Sequence, residues 1–284
     1  KSLLQKKFSD IQYHYNSRKS TLHLKEKQHL YTISREELGQ FQLEKAQAAG
    51  ANVITNAEVT KIQPNYVEVA GHEHFYYRHL VGAGGAHSPT RKFLRLPIRH
   101  YNVSLQYWVA ASALKKMEIH MIPKWFACWY GWIFPHEERV SLGCGCNPNL
   151  FSVKELRQNF HQWLEAIGVS VSPLSLEAWM INYDYCGCDF GNIFLAGEAA
   201  GLTSGLTGEG IYQAMVSGKA VAERILKPAQ FSWPLFWVIR QCAFHRRIVE
   251  LAIRFPGLQA ILWNAFMTGL SVPIINSIAA KTIQ

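Results

Sequence analysis

The chain has 284 residues, of which 49% are hydrophobic and 17% are charged, and its formal net charge is +9. This composition is typical of a globular protein with a sizeable core and excludes an intrinsically disordered chain. The positive excess suits an anionic cofactor, a diphosphate-bearing substrate or an anionic membrane surface. Nucleic acid would also fit the charge, but the usual zinc-finger, basic-helix and RNA-binding motifs are missing, so we predict no nucleic-acid partner.

The first third of the chain predicts short strands around one helix. Alternation at residues 20–24 predicts a strand in a polar and basic stretch. Ser34 followed by Glu37 is a capping-box pattern, and it predicts a helix that ends at Gly50. Further strands are predicted at residues 52–54, 58–62 and 65–70. Residues 79–85 predict a buried strand that runs into a glycine turn.

The remainder predicts a sheet followed by helices. Residues 101–146 are rich in β-branched and aromatic residues, which favour a sheet, and residues 153–167 have the pattern of an amphipathic helix. A buried strand at residues 193–196 precedes a glycine-rich loop and a helix that ends near Ile225. We expect one face of this helix to pack on the sheet; it comprises Ile211, Ala214, Met215, Gly218, Ala222 and Ile225.

The tail from Phe231 to Gln284 is apolar with basic residues between. The run between Arg254 and Lys281 carries no charge, which raises the question of a membrane span. Prolines and polar residues interrupt it, so we predict a packed or interfacial helical hairpin instead.

The segment from residue 192 to residue 211 is the most informative. Its strand ends at Gly197 and Glu198, where a glycine lets the backbone approach a ligand and a carboxylate can accept hydrogen bonds from sugar or ribityl hydroxyls. The next helix begins near Gly210 and Ile211, whose amides can stabilise a phosphate or the negative charge of a reduced flavin. The alternative is an ordinary strand–turn–helix with glycines needed only for tight turns.

The run from Gly197 to Ala222 resembles the second FAD-contacting motif of the flavoprotein monooxygenase and geranylgeranyl reductase superfamily. That motif pairs Gly-Asp with a later Gly-Glu-Gly-Ile, here beginning at Gly208, and with a helix containing Ser-Gly, here beginning at Ser217. The sequence departs from it at Glu198, which stands in place of Asp and lengthens the acceptor arm by one methylene.

Two shorter stretches resemble other cofactor-binding motifs of the superfamily. Residues 80–91 resemble its Gly-Ala-Asp-Gly motif through Gly82, but Gly84 replaces the Asp that is thought to organise the turn near the cofactor pyrophosphate. Residues 33–38 resemble its Arg-x-x-Phe-Asp helix start, of which only Arg35 is carried over. A glycine-rich strand exit and a surface arginine are the respective alternatives. The predicted cofactor-binding residues are Arg35, Val59, Gly82, Gly84, Gly197, Glu198, Gly208, Gly210 and Ile211.

Residues 129–135 resemble the Tyr-x-Trp-x-Phe-Pro pattern of the geranylgeranyl reductase family. The resemblance implies that Tyr130, Trp132 and Phe134 line a substrate cavity beside the flavin. Their large apolar faces suit a long isoprenoid. Alternating aromatic residues on a sheet are otherwise core residues.

The resemblance implies an α/β (α+β) fold of the p-hydroxybenzoate hydroxylase type, with an antiparallel substrate sheet and a helical C-terminal tail. It divides the chain into a first FAD-binding segment (residues 1–96), the substrate sheet (97–189), a last FAD-binding segment (190–227) and the tail (228–284). Family members begin with Gly-x-Gly-x-x-Gly, which no position here fits. We therefore expect the FAD-binding fold to be incomplete at the N-terminus, and we assign no catalytic residue.

The implied function is FAD-dependent reduction of carbon–carbon double bonds in an isoprenoid or lipid-like small molecule, with NADPH or another electron donor. Two alternatives stay open: a flavin monooxygenase or halogenase, and a non-enzymatic remnant that binds lipid or membrane without flavin. A cytoplasmic protein is expected, with peripheral membrane contact through the tail.

The six cysteines include two Cys-x-Cys pairs, Cys144/Cys146 and Cys186/Cys188. Zinc sites more often separate their cysteines by two to four residues, and residues 1–10 lack the long apolar core expected of a signal peptide. We therefore expect free thiols in a reducing cytoplasm and predict no metal site.

Overall fold

The computed structural model describes residues 3–24, 29–72, 74–110, 114–272 and 276. The chain consists of two compact units, each assembled from segments that are distant in sequence. The sheet unit comprises Lys1–Val53, Val103–Trp179 and Ala252–Gln284, and the glycine-rich unit comprises Ile54–Asn102 and Met180–Leu251. The finer division into four segments stays a prediction.

The described residues form both strands and helices, which confirms the predicted α/β class. The strands are β1 (Leu4–Phe8), β2 (Asp10–Tyr15), β3 (Arg18–His23), β4 (Leu30–Ile33), β5 (Val59–Ile62), β6 (Tyr66–Val69), β7 (Phe75–Tyr76), β8 (Leu80–Gly82), β9 (Tyr101–Ala110), β10 (Glu118–Met121), β11 (Gly131–Pro135), β12 (Arg139–Cys146), β13 (Glu177–Asn182), β14 (Asp189–Phe190) and β15 (Ile193–Leu195). The helices are α1 (Arg35–Ala48), α2 (Pro89–Phe93), α3 (Pro123–Phe126), α4 (Val153–Ala166), α5 (Ile211–Leu226), α6 (Trp233–Arg254) and α7 (Pro256–Leu270).

A seven-stranded sheet is the framework of the sheet unit, in the order β13-β9-β12-β11-β10-β2-β3. The pairs β9–β12, β12–β11, β11–β10 and β2–β3 are antiparallel. The pair β10–β2 is parallel. The predicted antiparallel sheet is confirmed, and the strand predicted at residues 20–24 is β3. Sequence reasoning missed β1, β2 and β4. The alternation of Ile11, Tyr13 and Tyr15 with polar residues could have revealed β2.

Helix α4 packs on one face of this sheet, as its sequence pattern predicts. It begins with a capping box between Ser152 and Glu155. Its buried side chains include Phe160 and Trp163, both 0% exposed, and they pack with Leu105 and residues of β11 and β12. Helix α4 therefore supplies much of the apolar surface that covers the sheet.

Helix α7 packs in a second cluster, against β2 and β3. Its Met267 and Leu270 are buried with Ile11, Tyr13 and Leu22. The tail is helical, as predicted; residues 273–275 and 277–284 lie outside the described residues. None of the helices in the described ranges combines the length and the apolar character that crossing a membrane requires.

Two three-stranded sheets belong to the glycine-rich unit. One has the order β5-β6-β7, and its first two strands confirm those predicted at residues 58–62 and 65–70. The other has the order β14-β15-β8, with β15 and β8 parallel. Strand β8 confirms the strand predicted after residue 79, but its expected burial is wrong at Val81, which is 43% exposed. Within the described residues, β8 is an edge strand.

Two other predictions about local structure are wrong. Residues 52–54 are not a strand: their backbone pairs with no described strand, and Ile54 is 43% exposed. In α5, the buried side chains are Gln213, Ser217, Ala220 and Val221, while the predicted apolar face is exposed at Met215 and half-buried at Ile225. Ser217 faces inward because its hydroxyl accepts the Gly197 N–H and donates to the Gln213 carbonyl.

Replacing Phe160 by alanine should lower the free energy of unfolding by about 3–5 kcal/mol, because the change opens a cavity between α4 and the sheet. Urea unfolding followed by circular dichroism measures the loss. Trp179→Ala is the control, since Trp179 is 64% exposed, and should cost less than about 1 kcal/mol. Equal losses in the two variants would contradict the packing described for α4.

Candidate functional site

The ends of the parallel strands β8 and β15 meet in the glycine-rich unit. The Ala196 N–H donates to the Gly82 carbonyl at 3.0 Å. Beyond β15 the chain enters a single 3-10 turn at Gly197–Ala200, and both Gly197 (φ +58°) and Gly201 (φ +79°) have left-handed backbone conformations that favour glycine. Backbone atoms of Asp184 also occupy the place of a Cβ on Gly201. These glycines are required by the turn itself.

Helix α5 is held against this turn by one buried hydroxyl. The Gly197 N–H donates to Ser217 Oγ at 2.8 Å, and Ser217 Oγ donates to the Gln213 carbonyl at 2.7 Å. A Cβ on Gly197 would lie 3.0 Å from the Cβ of Ala214. The predicted Gly197 and the serine of the helix motif are thus brought together, and their shared role is to seat α5 on the strand end.

One carboxylate oxygen of Glu198 already accepts a hydrogen bond within the protein. Its Oε1 accepts the Asn182 N–H at 2.9 Å, and its carbonyl accepts Asn182 Nδ2 at 2.8 Å. Its Oε2 lies 3.5 Å from the place that a Cβ on Gly85 would take. The carboxylate therefore stands between the two glycine turns, and Asn182 is a positioning residue that sequence reasoning missed.

The glycines of the other turn have different surroundings. A Cβ on Gly82 would collide with the Thr90 side chain and lie 2.9 Å from Leu195 Cδ2, so close packing alone requires this glycine. A Cβ on Gly84 would meet Pro89 Cδ and Ser88 Cα at 3.4 Å, close to ordinary contact. The position of the missing family aspartate is thus sterically open.

Arg91, at the end of the same motif, is a buried clamp. It is 2% exposed, and its guanidinium donates to the carbonyls of Leu96, Pro97, Ala199 and Asp184. The Asp184 carboxylate lies 3.7 Å from Arg91 and 3.0 Å from Arg246. Four carbonyls and a carboxylate satisfy the buried cation, and this joins the two glycine turns to residue 184.

Ser204 organises the loop that leads to α5. Its Oγ accepts the Thr207 N–H at 3.0 Å and lies 2.8 Å from His245 Nδ1. The loop passes through Gly208 (φ +70°) and ends at Gly210, the N-cap of α5, where no side chain caps the helix. The first amides of this 16-residue helix therefore have no intrahelical acceptor.

Burial also shifts the titration of His245, which lies on α6 and contacts the loop through Ser204. It lowers the pKa of His245 below the usual 6.5, because the charged imidazolium loses hydration when it is half-buried. The neutral ring is therefore the form that the folded loop favours.

The other predicted site residues are distributed over both units. Arg35 is exposed at the first position of α1, in the sheet unit. Its helix is confirmed, with Ser34 Oγ accepting the Glu37 N–H at 3.2 Å. Val59 is half-buried at the start of β5, in the glycine-rich unit. The described contacts of Arg35 and Val59 do not distinguish a cofactor-binding role from a structural one.

The three predicted substrate residues share one face of the sheet unit. Tyr130 precedes β11, and Trp132 and Phe134 alternate along it with buried residues. Ring centroids are 6.1 Å apart for Tyr130 and Trp132 and for Trp132 and Phe134. Trp132 Nε1 donates to Ser141 Oγ at 2.9 Å, which fixes the indole. The result is a half-buried aromatic surface with a satisfied polar edge.

The six cysteines are free, as expected. Burial raises the pKa of Cys146 to about 12 and that of Cys188 to about 11. A thiol with a raised pKa stays protonated near neutral pH, and the thiolate is the form that binds metals and acts as a nucleophile. This supports the interpretation of the two pairs as structural thiols.

Comparison with known proteins decides the family. The profile of a family described as FAD dependent oxidoreductase matches residues 31–224. The chain belongs to this family. The flavoprotein motifs found in its sequence lie largely within the matched range.

Curated relatives of this oxidoreductase confirm the resemblance to geranylgeranyl reductases. An uncharacterized protein of Methanosarcina barkeri is 28% identical over 269 residues, which are 88% of this chain and 67% of the relative. A geranylgeranyl diphosphate reductase of Rhodobacter capsulatus is 27% identical over 160 residues, which are 51% of this chain and 39% of that reductase. The oxidoreductase chain thus spans well under two thirds of the reductase it matches.

Solved structures confirm the predicted fold. A geranylgeranyl bacteriochlorophyll reductase-like protein of Thermoplasma acidophilum has a TM-score of 0.65 at 16% identity, covering 95% of this chain and 72% of that one. A probable FAD-dependent monooxygenase of Pseudomonas aeruginosa has a TM-score of 0.62 at 15% identity, covering 98% and 82%. The chain therefore shares the fold of both of these proteins.

The start of α5 offers unsatisfied polar groups of the kind that the phosphate or ring of FAD would require. Thr203 Oγ1 and Gln213 Oε1 are buried there without a hydrogen-bond partner in the described part of the chain. Thr203 Oγ1 lies 3.4 Å from the place of a Cβ on Gly210. Orphaned polar atoms beside an uncapped helix N-terminus are groups that a polar or anionic ligand would satisfy.

Ser217→Ala should destabilise the glycine-rich unit by about 1–3 kcal/mol, because it leaves the buried Gly197 N–H without an acceptor. Thermal and urea unfolding measure the change. Ser170→Ala, at an exposed position, is the matched control and should have little effect. If the two serine variants unfold alike, the Gly197–Ser217 bond does not hold α5 in place.

His245→Gln should reduce the loss of stability on acidification. The unfolded chain binds a proton at His245 more readily than the folded chain does, so the stabilisation is present above about pH 6.5 and is lost as the pH falls toward the lowered pKa. Unfolding free energies at about pH 7 and about pH 5 measure the difference. An equal or steeper loss in the variant would show that His245 charges freely in the folded state.

Proposed function

We propose that this chain serves FAD-dependent reduction of carbon–carbon double bonds in an isoprenoid or similar lipid-like substrate. The observation that carries the proposal is the uncapped start of α5, with Gly210 at its N-cap and two orphaned oxygens beside it. Family membership supports the cofactor, and the relatives named geranylgeranyl diphosphate reductase support the substrate class.

The amides of Gly210 and Ile211 would stabilise a phosphate or the negative charge of the reduced flavin ring, since they lie at the positive end of the α5 dipole. Gly197 and Gly208 would shape the approach through their left-handed turns. Glu198 would contribute its carboxylate, one oxygen of which is anchored by Asn182. Gly82, Gly84, Val59 and Arg35 complete the proposed cofactor set. Bound FAD supplies hydride chemistry, which protein side chains do not provide.

The aromatic surface of Tyr130, Trp132 and Phe134 would receive the apolar substrate. The ring faces offer dispersion contacts to a long hydrocarbon. The Trp132 side chain would lose little conformational entropy on binding, because the bond to Ser141 and close packing already fix it. NADPH or another donor would supply the electrons. No catalytic residue is assigned, because none of the described side chains is placed against a reacting atom.

Two other functions are favoured by specific observations. The fold shared with an FAD-dependent monooxygenase supports oxygen chemistry on the same scaffold. A cleft of about 500 Å³ lined by Tyr212, Trp233 and Trp237, each more than half exposed, supports lipid or membrane binding without flavin.

FAD titration of the purified chain tests the cofactor proposal, with quenching of flavin fluorescence as the readout. Wild-type protein should bind saturably, and Gly210→Val should weaken binding at least about tenfold by crowding the helix start. Gly257→Val is the matched control at the start of α7, where a Cβ meets nothing within 4 Å. If the Gly210→Val variant binds FAD as tightly as the wild type, the cofactor does not bind at the start of α5.

Anaerobic turnover with chemically reduced FAD and geranylgeranyl diphosphate tests the reaction. The proposed product gains two hydrogen atoms for each double bond reduced, which mass spectrometry detects. Hydroxylated or halogenated product formed only with oxygen would favour the monooxygenase or halogenase function. Binding to liposomes by a protein that takes up no FAD would favour the non-enzymatic function.

A further inference from the structure

Four polar side chains lie on one face of the sheet unit where β2 and β10 run parallel. The register pairs Gln12 with Glu118 and His14 with His120. Side chains two residues apart on a strand share a face, and so do directly paired ones. Gln12, His14, Glu118 and His120 are therefore neighbours, although β2 and β10 lie far apart in sequence.

Three of these side chains converge to distances typical of metal ligands. His14 Nε2 lies 2.7 Å and His120 Nε2 lies 3.2 Å from Glu118 Oε2, and all three ligand atoms lie within 4.8 Å of one another. Tetrahedral zinc ligands at about 2.0–2.1 Å from the ion lie about 3.3 Å from one another. The two imidazole rings are stacked, with centroids 4.2 Å apart and an interplanar angle of 4°. To bind one ion through both Nε2 atoms, the two rings would tilt toward each other from this parallel arrangement.

The hydrogen bonds of the group are incomplete without a further partner. His14 Nε2 lies 2.7 Å from Glu118 Oε2, and no second partner for this nitrogen is found in the described residues. Gln12 is 8% exposed, and its Oε1 lacks a partner there. Buried polar atoms are ordinarily satisfied, so the unpaired Gln12 Oε1 points to a missing group.

The surroundings suit a closed site on the sheet. His120 is 7% exposed and meets the edge of the buried Trp163 ring at 5.2 Å. Lys19 pairs with His14 from the neighbouring strand β3, but it is exposed and can keep its ammonium group in water. Burial by Trp163 would shield a bound ion from solvent on one side.

We propose that His14, Glu118 and His120 bind one divalent transition-metal ion, Zn²⁺ by the preference of this donor set. Two imidazoles and a carboxylate are ligands that zinc accepts in tetrahedral sites. A water molecule in the fourth position donates a hydrogen bond to Gln12 Oε1. The ion clamps the parallel junction of β2 and β10, through which the N-terminal hairpin joins the larger sheet. Sequence reasoning predicted no metal site, because it considered the cysteine pairs and not these histidines.

Zinc competition tests the site. Chelator-treated full chain is titrated with Zn²⁺ against a chromophoric chelator, and it should bind one equivalent. His120→Ala and Glu118→Gln should each weaken binding at least about tenfold. His136→Ala is the matched control, because this half-buried histidine of the same unit bonds to Gln5 and, within the described residues, is not part of the ligand cluster. It should bind Zn²⁺ like the wild type.

Two readouts on the wild-type chain keep the test decisive if a variant fails to fold. Co²⁺ should give the visible absorption of a tetrahedral nitrogen–oxygen site, and Zn²⁺ should raise the melting temperature. Substoichiometric zinc, or binding that His120→Ala and His136→Ala weaken equally, would overturn the proposal, since nonspecific binding spread over the 12 histidines of the chain would give that result. Absence of both the cobalt absorption and the thermal shift would also overturn it.

Discussion

The bond between the Gly197 amide and the Ser217 hydroxyl sets the distance between a strand end and helix α5. Both partners are buried, and the Ala214 Cβ approaches Gly197 so closely that any side chain at 197 would push the helix away. Because the helix is rigid, its first turn is then fixed beside Thr203 and the end of the glycine loop. The electrostatics at that turn follow from a contact almost two helical turns away.

A second constraint keeps the two glycine turns together. Arg91 lies inside the unit, and its cation is acceptable there only because carbonyls from three separate stretches and Asp184 surround it. The carbonyl groups are thereby turned inward, toward the guanidinium. The turn around Glu198 is thus held from one side by Arg91 and from the other by Asn182.

Local signals in the sequence predicted those elements in which helix cap, periodicity and apolar face all indicate the same structure. Helix α4 has a cap, a period and an apolar face that agree, and it was predicted within a residue. The buried face of α5 was predicted wrongly. Hydrophobicity favours burial of Met215, but the Gly197 N–H requires a hydrogen-bond acceptor, and this places Ser217 on the buried face instead. The glycine motif could be recognised from its spacing. Asn182 and Arg91 could not be assigned their roles, since their partners are distant in sequence and set by tertiary contacts.

Helix α1 differs from the other long helices because none of its side chains is buried. A helix of 14 residues that buries no side chain fully gains little stability from packing, and the Ser34 cap adds a modest amount. Its amide protons are therefore expected to exchange through local opening well before those of α4. Arg35 stands at the first position of this helix, so an anion that contacts Arg35 also favours the ordered form of the segment. Recognition at that position would then be coupled to helix formation, and ordering the segment would offset part of the favourable binding free energy.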